Sequence, residues 1–158
     1  MLLRRLLIGF LLYSGVASAC AQQDQRYAVL PQSQAKTLIG TQLFGLPGKV
    51  TGAWKPKEED ITAIEASLSQ ISDLSRKSYP PDRQIEYPAG YFRQYLGLLE
   101  GSGRLIYVSA FCGVNSDQPF RGWRSSLIDV SDGGKCAWQA LYDVSAKRFV
   151  AVSVNGYA

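Results

Sequence analysis

The chain has 158 residues with three cysteines and no histidine; 46% of its residues are hydrophobic and 19% are charged. This composition fits one globular domain and excludes a disordered chain, because disorder requires few apolar residues. The lack of histidine excludes Ser-His-Asp and Cys-His catalysis and any histidine-ligated metal site in this chain. The formal net charge of +4 falls to +2 without Arg4 and Arg5, which is too small to indicate nucleic-acid binding.

The first 20 residues have the features of an export signal in the expected order. Two basic residues, Arg4 and Arg5, precede an uncharged, mostly apolar run over residues 6–13. Small residues at 17–19 then fit a cleavage site. The apolar run is too short for a membrane-spanning helix of about 20 residues. We therefore predict a signal peptide over residues 1–20, with a buried N-terminal helix as the alternative interpretation.

Cys20 lies at the predicted cleavage site, and its fate depends on where the signal is cut. Cleavage after Ala19 makes Cys20 the first residue, whereas cleavage after Ala21 removes it. Residues 17–20 also resemble a bacterial lipobox, although Ala17 stands where that motif usually has Leu. A lipobox implies a lipid on Cys20 that anchors the protein, in a Gram-negative cell to the outer membrane. Without the lipid, the protein is predicted to be soluble in the periplasm or secreted.

The other two cysteines, Cys112 and Cys136, are predicted to form a disulfide. Export places them in an oxidising compartment, where two cysteines within one domain usually pair. A redox-active pair is the alternative, but such pairs usually have the much shorter C-x-x-C spacing. If Cys20 carries a lipid or is removed, no unpaired cysteine remains.

The segment before residue 54 has few charges and many Gln, Gly and Pro residues. We expect residues 21–53 to be a tether and N-terminal segment, with one short strand over residues 37–46. One main helix is predicted next, because Pro56 suits a first turn and the acidic residues 58–60 complement the helix dipole. Apolar residues then recur at helical spacing: Ile61, Ile64, Leu68, Ile71 and Leu74. The helix is expected to end near residue 77, before two prolines.

Strands are predicted for the remainder of the chain, at residues 91–99, 105–112, 123–130, 136–142 and 148–154. Apolar and aromatic runs separated by turn residues indicate these strands. We therefore predict an α+β domain over residues 54–158, in which one main helix packs on an antiparallel sheet of four to five strands. This layout resembles cystatin-like or NTF2-like folds. One face of the sheet would remain free to bind a partner.

A candidate binding face follows from the alternation of residues 105–112. Aliphatic residues at 106, 108 and 110 share one face with Cys112, and Tyr107 and Phe111 share the other. If the helix covers the aliphatic face, the aromatic face is exposed. We therefore predict a binding face for an envelope protein or a glycan, formed by Tyr107, Phe111, Phe120 and Trp123. Ordinary core packing of these aromatic residues is the alternative.

Catalytic and cofactor motifs are absent from the sequence. It has no P-loop, GxGxxG or GxSxG motif and no cluster of metal ligands, so we predict no cofactor, no metal and no enzymatic activity. Five arginines, which suit either an anion site or ordinary solvation, are Arg93, Arg104, Arg121, Arg124 and Arg148. Acidic residues, which leave open an acid- and tyrosine-dependent hydrolase, are Glu86, Glu100, Asp117, Asp129, Asp132 and Asp143.

Several stretches of residues 54–158 together are similar to one group of bacterial proteins. The most distinctive are residues 54–56 (WKP), 91–97 (YFRQYLG), 106–108 (IYV), 130–134 (VSDGG) and 154–158 (VNGYA). The chain resembles a family of small exported bacterial proteins, lipoproteins among them, of unknown function, so the resemblance implies no activity. We predict an envelope lipoprotein with a non-enzymatic binding or accessory role. The alternative is a periplasmic inhibitor of a hydrolase that uses the loop over residues 113–122 as a plug.

Overall fold

The computed structural model describes residues 25–113 and 120–157. The predicted signal peptide, Cys20 and the first residues of the expected tether lie outside the described residues, as do residues 114–119 of the expected loop. The described residues form one sheet with both faces covered.

The sheet mixes parallel and antiparallel pairs. Its six strands are β1 (Tyr27–Val29), β2 (Gly52–Trp54), β3 (Phe92–Glu100), β4 (Gly103–Phe111), β5 (Ala137–Asp143) and β6 (Arg148–Val154). Strands β3 to β6 form an antiparallel meander, while β1 and β2 pair with the same edge of β3, parallel and antiparallel respectively. The α+β class is confirmed. The expected purely antiparallel sheet of four to five strands is wrong, because β1 and β2 are too short to show an alternating pattern.

Two α-helices, α1 (Glu58–Ala66) and α2 (Ser69–Ser78), replace the single predicted helix. The break lies at Ser67, whose backbone leaves the helical region with a φ of −100° and a ψ of 0°. Its hydroxyl donates a hydrogen bond to the carbonyl of Ala63 at 2.8 Å, a local bond that competes with regular helix. Within residues 25–113 and 120–157, no helix is both long and apolar enough to cross a membrane.

The apolar stripe of the two helices packs against one face of the sheet, as predicted. The buried stripe consists of Ile61, Ile64, Leu68 and Ile71. On the sheet side, this core contains Ile106, Val108 and Ala110 of β4, so the aliphatic face of this strand meets the helices. The acidic residues 58–60 form the first turn as expected, and the Asp60 carboxylate accepts a hydrogen bond from the N–H of the N-cap residue Lys57 at 2.8 Å. Pro56, expected in the first turn, lies before the helix, because the chain becomes helical only after Lys57.

The opposite face of the sheet is covered rather than free. The segment over residues 30–50, which includes a 3₁₀ helix (Gln32–Thr37), packs Leu30, Ala35, Leu46 and Val50 on the sheet. The folded part of the chain therefore begins well before residue 54, within the expected tether. The strand expected over residues 37–46 is absent, since this stretch consists of the 3₁₀ end and turns.

A loop over residues 120–130 covers the rest of that face, and the strand expected at 123–130 is not formed. Gln94 of β3, which is 1% exposed, accepts a hydrogen bond from the Ile128 N–H at 2.8 Å and donates one to the Ser126 carbonyl at 2.7 Å. Ser109 of β4 donates to the Ile128 carbonyl at 3.0 Å. These side chains satisfy the loop backbone, which therefore needs no neighbouring strand.

The outer edge of β6 is partly occupied by side chains of the second helix and its end. The N–H of Phe149 donates to the side-chain oxygen of Gln70 at 2.9 Å, and the N–H of Val154 donates to the Tyr79 hydroxyl at 3.1 Å. Backbone donors near both ends of this edge strand thus have partners from their own chain.

Candidate functional site

Three of the four aromatic residues predicted for a binding face come together, but inside the fold. The ring of Phe111 lies 5.2 Å from that of Phe120 and 6.0 Å from that of Trp123, centroid to centroid. Phe111 is 2% exposed and Trp123 is 8% exposed. The expected exposed aromatic face is therefore wrong for these two residues, because residues 120–130 fold back over the sheet. Tyr107 lies apart from them, against the neighbouring leucine-rich core.

A pocket of about 430 Å³ opens beside this aromatic cluster. We call it the disulfide pocket; its walls are Phe111, Cys112, Gly113, Phe120, Val130, Gly133, Cys136 and Ala137. Among the described residues, none of these wall residues carries a charge. The pocket is therefore suited to an uncharged, apolar group.

The disulfide between Cys112 and Cys136 is present, as predicted. It joins the end of β4 to the start of β5, with the two Cα atoms 4.9 Å apart. The Cys112 N–H also donates to the Cys136 carbonyl at 2.9 Å, which continues the ladder between these strands. Both cysteines are exposed at the surface, so the bond is accessible to reductants.

Sequence reasoning missed Val130 and Ala137 as pocket residues. The position of Ala137 could have been inferred from the predicted disulfide. A bridge between antiparallel strands places the residue before the first cysteine beside the residue after the second, and Phe111 indeed pairs with Ala137. Val130 had no comparable signal, because its position depends on the path of the loop across the sheet.

Tyr107 lines a second pocket, of about 450 Å³, between the 3₁₀ helix and the loop. Lys36, Leu127 and Asp129 are among the other wall residues. Burial raises the pKa of the Tyr107 hydroxyl above its ordinary value, and the nearby charge of Asp129 raises it further. Tyr107 therefore remains protonated at neutral pH and is unsuited to act as a general base.

A buried polar cluster lies under α1, where Arg93 of β3 meets Glu65. The Arg93 guanidinium forms an ion pair with the Glu65 carboxylate at 3.0 Å and also donates to the Ala89 carbonyl at 2.8 Å. The Tyr95 hydroxyl donates to Glu65 as well. Burial raises the pKa of Tyr95 well above its ordinary value, and Glu65 adds to the effect. Each polar group has a partner within the fold, so the cluster serves to connect helix and sheet.

The structure does not bring three of the predicted arginines, Arg93, Arg104 and Arg124, to one anion site. Arg93 is buried under α1, the Arg104 guanidinium lies 5.0 Å from the centroid of the Trp54 ring, and that of Arg124 lies 4.4 Å from the Trp123 ring. These three arginines therefore lie in separate places: under α1, over a ring of β2 and over a ring of the loop at residues 120–130.

Two of the candidate acidic residues have structural partners. The Asp143 carboxylate accepts hydrogen bonds from the Ser145 and Ala146 N–H groups at 2.8 and 2.9 Å, as its turn position predicts. Glu100 accepts one from the Gly48 N–H at 2.6 Å. Asp117 lies outside the described residues. In the described ranges, no group of three or more Cys, Asp or Glu side chains is placed to hold a metal ion.

Comparison with known proteins adds no assignment. No family model, no curated protein and no solved structure matches this chain. The resemblance to small exported bacterial proteins and the cystatin-like or NTF2-like layout therefore stay predictions.

Proposed function

We propose that this chain is an exported bacterial envelope lipoprotein, anchored by a lipid on Cys20, whose folded part is a non-enzymatic binding module. In this proposal it is related to the small exported proteins that it resembles. The disulfide pocket receives apolar side chains of an envelope protein. The observation that carries the proposal is a pocket whose described wall residues carry no charge and include an exposed disulfide.

The chemistry of the pocket walls favours an apolar protein segment over a glycan. Binding sites for polar ligands place hydrogen-bonding groups where they fix the ligand, and the side chains of Phe111, Phe120, Val130 and Ala137 offer none. A sugar hydroxyl transferred from water to these walls would lose hydrogen bonds without replacement. An aliphatic or aromatic side chain loses none and gains from burial.

The exposed disulfide supports the proposed export. Cytosolic thiol systems keep accessible cysteines reduced, whereas the periplasm favours their oxidation. A bridge between the exposed Cys112 and Cys136 is therefore consistent with the signal-like features of residues 1–20.

We expect Cys20 to carry the lipid, which metabolic labelling can test. Cells that express the full chain with an alkyne analogue of palmitate should label the wild-type protein. The Cys20→Ala variant should lose the label and leave the membrane fraction, because its acceptor thiol is missing. Cys112→Ala is the matched control and should keep the label. An unlabelled wild-type protein would instead indicate a soluble periplasmic or secreted form.

We expect the disulfide pocket to bind an apolar probe, and a charge in its wall to abolish binding. Val130→Asp places a carboxylate in the pocket wall. A bound apolar group would remove water from this carboxylate and offer it no hydrogen bond or opposite charge in return. Nile red, an uncharged dye, should bind the wild-type protein saturably, and the variant should bind at least about tenfold more weakly. Fluorescence titration measures both affinities.

Ser131→Asp is the matched control, because this exposed neighbour does not line the pocket. It adds the same charge one residue away and should bind the dye as the wild type does. Equal binding by both variants would contradict the proposed site. The inhibitor alternative predicts a different result. The purified protein would capture a hydrolase from envelope extract and lower its activity, and Val130→Asp would inhibit that hydrolase as strongly as the wild type does.

A further inference from the structure

A third pocket lies at the opposite end of the β4–β5 pair from the disulfide. It has a volume of about 350 Å³ and opens between the first turn of α1, the start of β4 and the turn before β6. We call it the charged pocket; its polar walls are Glu59, Asp60, Arg104, Tyr142 and Lys147. It shares no wall residue with the disulfide pocket, so its function is independent of the one proposed above.

One wall residue of the charged pocket, Tyr142, has a buried polar group that lacks a partner among the described residues. Tyr142 of β5 is 1% exposed and packs its ring edge-on against Phe149 at 5.2 Å. Its hydroxyl is buried and has no hydrogen-bond partner within the described part of the chain. Buried hydroxyls are nearly always paired, and an unpaired one destabilises the fold. Because Tyr142 is also a wall of the pocket, a bound molecule can supply the missing partner.

Charges of opposite sign line opposite sides of the charged pocket. Glu59 and Asp60 come from the helix, whereas Arg104 and Lys147 come from the sheet side. Among residues 25–113 and 120–157, no ion pair joins either acid to either base across the pocket. Glu59 instead pairs with Lys57 at 3.5 Å at the exposed helix start, and Asp60 accepts the Lys57 N–H. A molecule that carries both signs would therefore share the two acids with Lys57 and meet Arg104 and Lys147 on the other side.

Local structure restrains the Arg104 guanidinium and sets the backbone from which Lys147 extends. The Arg104 guanidinium lies over the Trp54 ring, which limits its movement. Lys147 has a φ of +50°, in the left-handed region that glycine or asparagine usually occupies. Among the described residues it is the one non-glycine with a positive φ. The turn therefore presents a lysine side chain at a position where a glycine would be less strained.

We propose that the charged pocket binds a dipeptide with free termini. The carboxylate of such a molecule would meet Arg104 and Lys147, its ammonium group would meet Glu59 and Asp60, and its polar atoms would pair the Tyr142 hydroxyl. A pocket near 350 Å³ lies at the small end of ligand sites, which suits a dipeptide better than a longer peptide.

Calorimetric titration with L-alanyl-L-alanine tests this proposal. The full mature chain should bind it saturably, whereas the N-acetylated and the C-amidated derivatives, each lacking one charge, should bind at least about tenfold more weakly. Tyr142→Phe should weaken binding about fivefold yet melt at or above the wild-type temperature, because it removes an unpaired buried hydroxyl. Its intact fold separates a binding defect from unfolding.

Lys147→Gln and Lys135→Gln form a matched pair of charge variants. Lys147 lines the charged pocket, whereas the exposed Lys135 lies near the disulfide at the other end of the strands. The first should weaken dipeptide binding about fivefold and the second should leave it unchanged. Absence of saturable binding at about 10 mM dipeptide, or wild-type affinity in both Tyr142→Phe and Lys147→Gln, would overturn the proposal.

Discussion

Replacing both bridging cysteines, as Cys112→Ser with Cys136→Ser, is expected to lower the free energy of unfolding by about 3 kcal/mol. The two residues are 24 positions apart, and their bond restricts the unfolded chain. The loop that they close also carries Phe120 and Trp123 into the core, so a looser loop removes packing as well. Thermal unfolding should shift downwards by roughly 10 °C.

A reductant provides the control for this prediction. Because Cys112 and Cys136 are exposed, a reductant should break the bridge in the folded wild-type protein. The melting temperature of the reduced wild type should then equal that of the double variant. The double variant itself should not respond to the reductant. Equal melting temperatures for the oxidised wild type and the double variant would show that the bridge contributes nothing to stability.

Arg93→Met is expected to lower the free energy of unfolding by about 3 to 5 kcal/mol, because it leaves the partly buried Glu65 carboxylate without its charged partner. The Arg93 side chain is 4% exposed and that of Glu65 is 27% exposed. The carbonyl of Ala89 loses its donor in the same variant. Urea unfolding followed by tryptophan fluorescence gives the free energy directly.

Two further variants identify the ion pair as the cause. Arg76→Met removes the arginine of an exposed pair with Asp73 and should change stability by less than about 1 kcal/mol. Glu65→Gln combined with Arg93→Met should recover part of the loss, since no charge then remains without a partner. A loss as large for Arg76→Met, or no recovery in the combined variant, would contradict this explanation.

The elements that the sequence predicted are those with a regular burial pattern. Alternation along residues 105–112, and apolar spacing from Ile61 to Ile71, both follow from burial on one side, which is a local property. Their bounds in the structure agree to within a few residues, apart from the break at Ser67. The strand expected at 123–130 failed because apolar residues there pack as a loop.

The packing of the loop over residues 120–130 on the sheet could not be predicted, because it depends on polar residues in central strands. Gln94 and Ser109 interrupt apolar runs and are typical of exposed positions. In the fold they are buried and satisfy the backbone of a distant loop. Three members of the predicted aromatic group, Phe111, Phe120 and Trp123, do come together, whereas Tyr107 does not join them. The predicted exposure is wrong for Phe111 and Trp123 for the same reason.

The side chains along the outer edge of β6 affect how this protein can meet other molecules. The side chains of Gln70 and Tyr79 already accept hydrogen bonds from backbone N–H groups near both ends of β6. An incoming strand would have to displace these side chains before it could pair with β6. Neighbouring chains would thus resist pairing through their β6 edges. At this edge, a specific partner is expected to recognise side chains instead of extending the sheet.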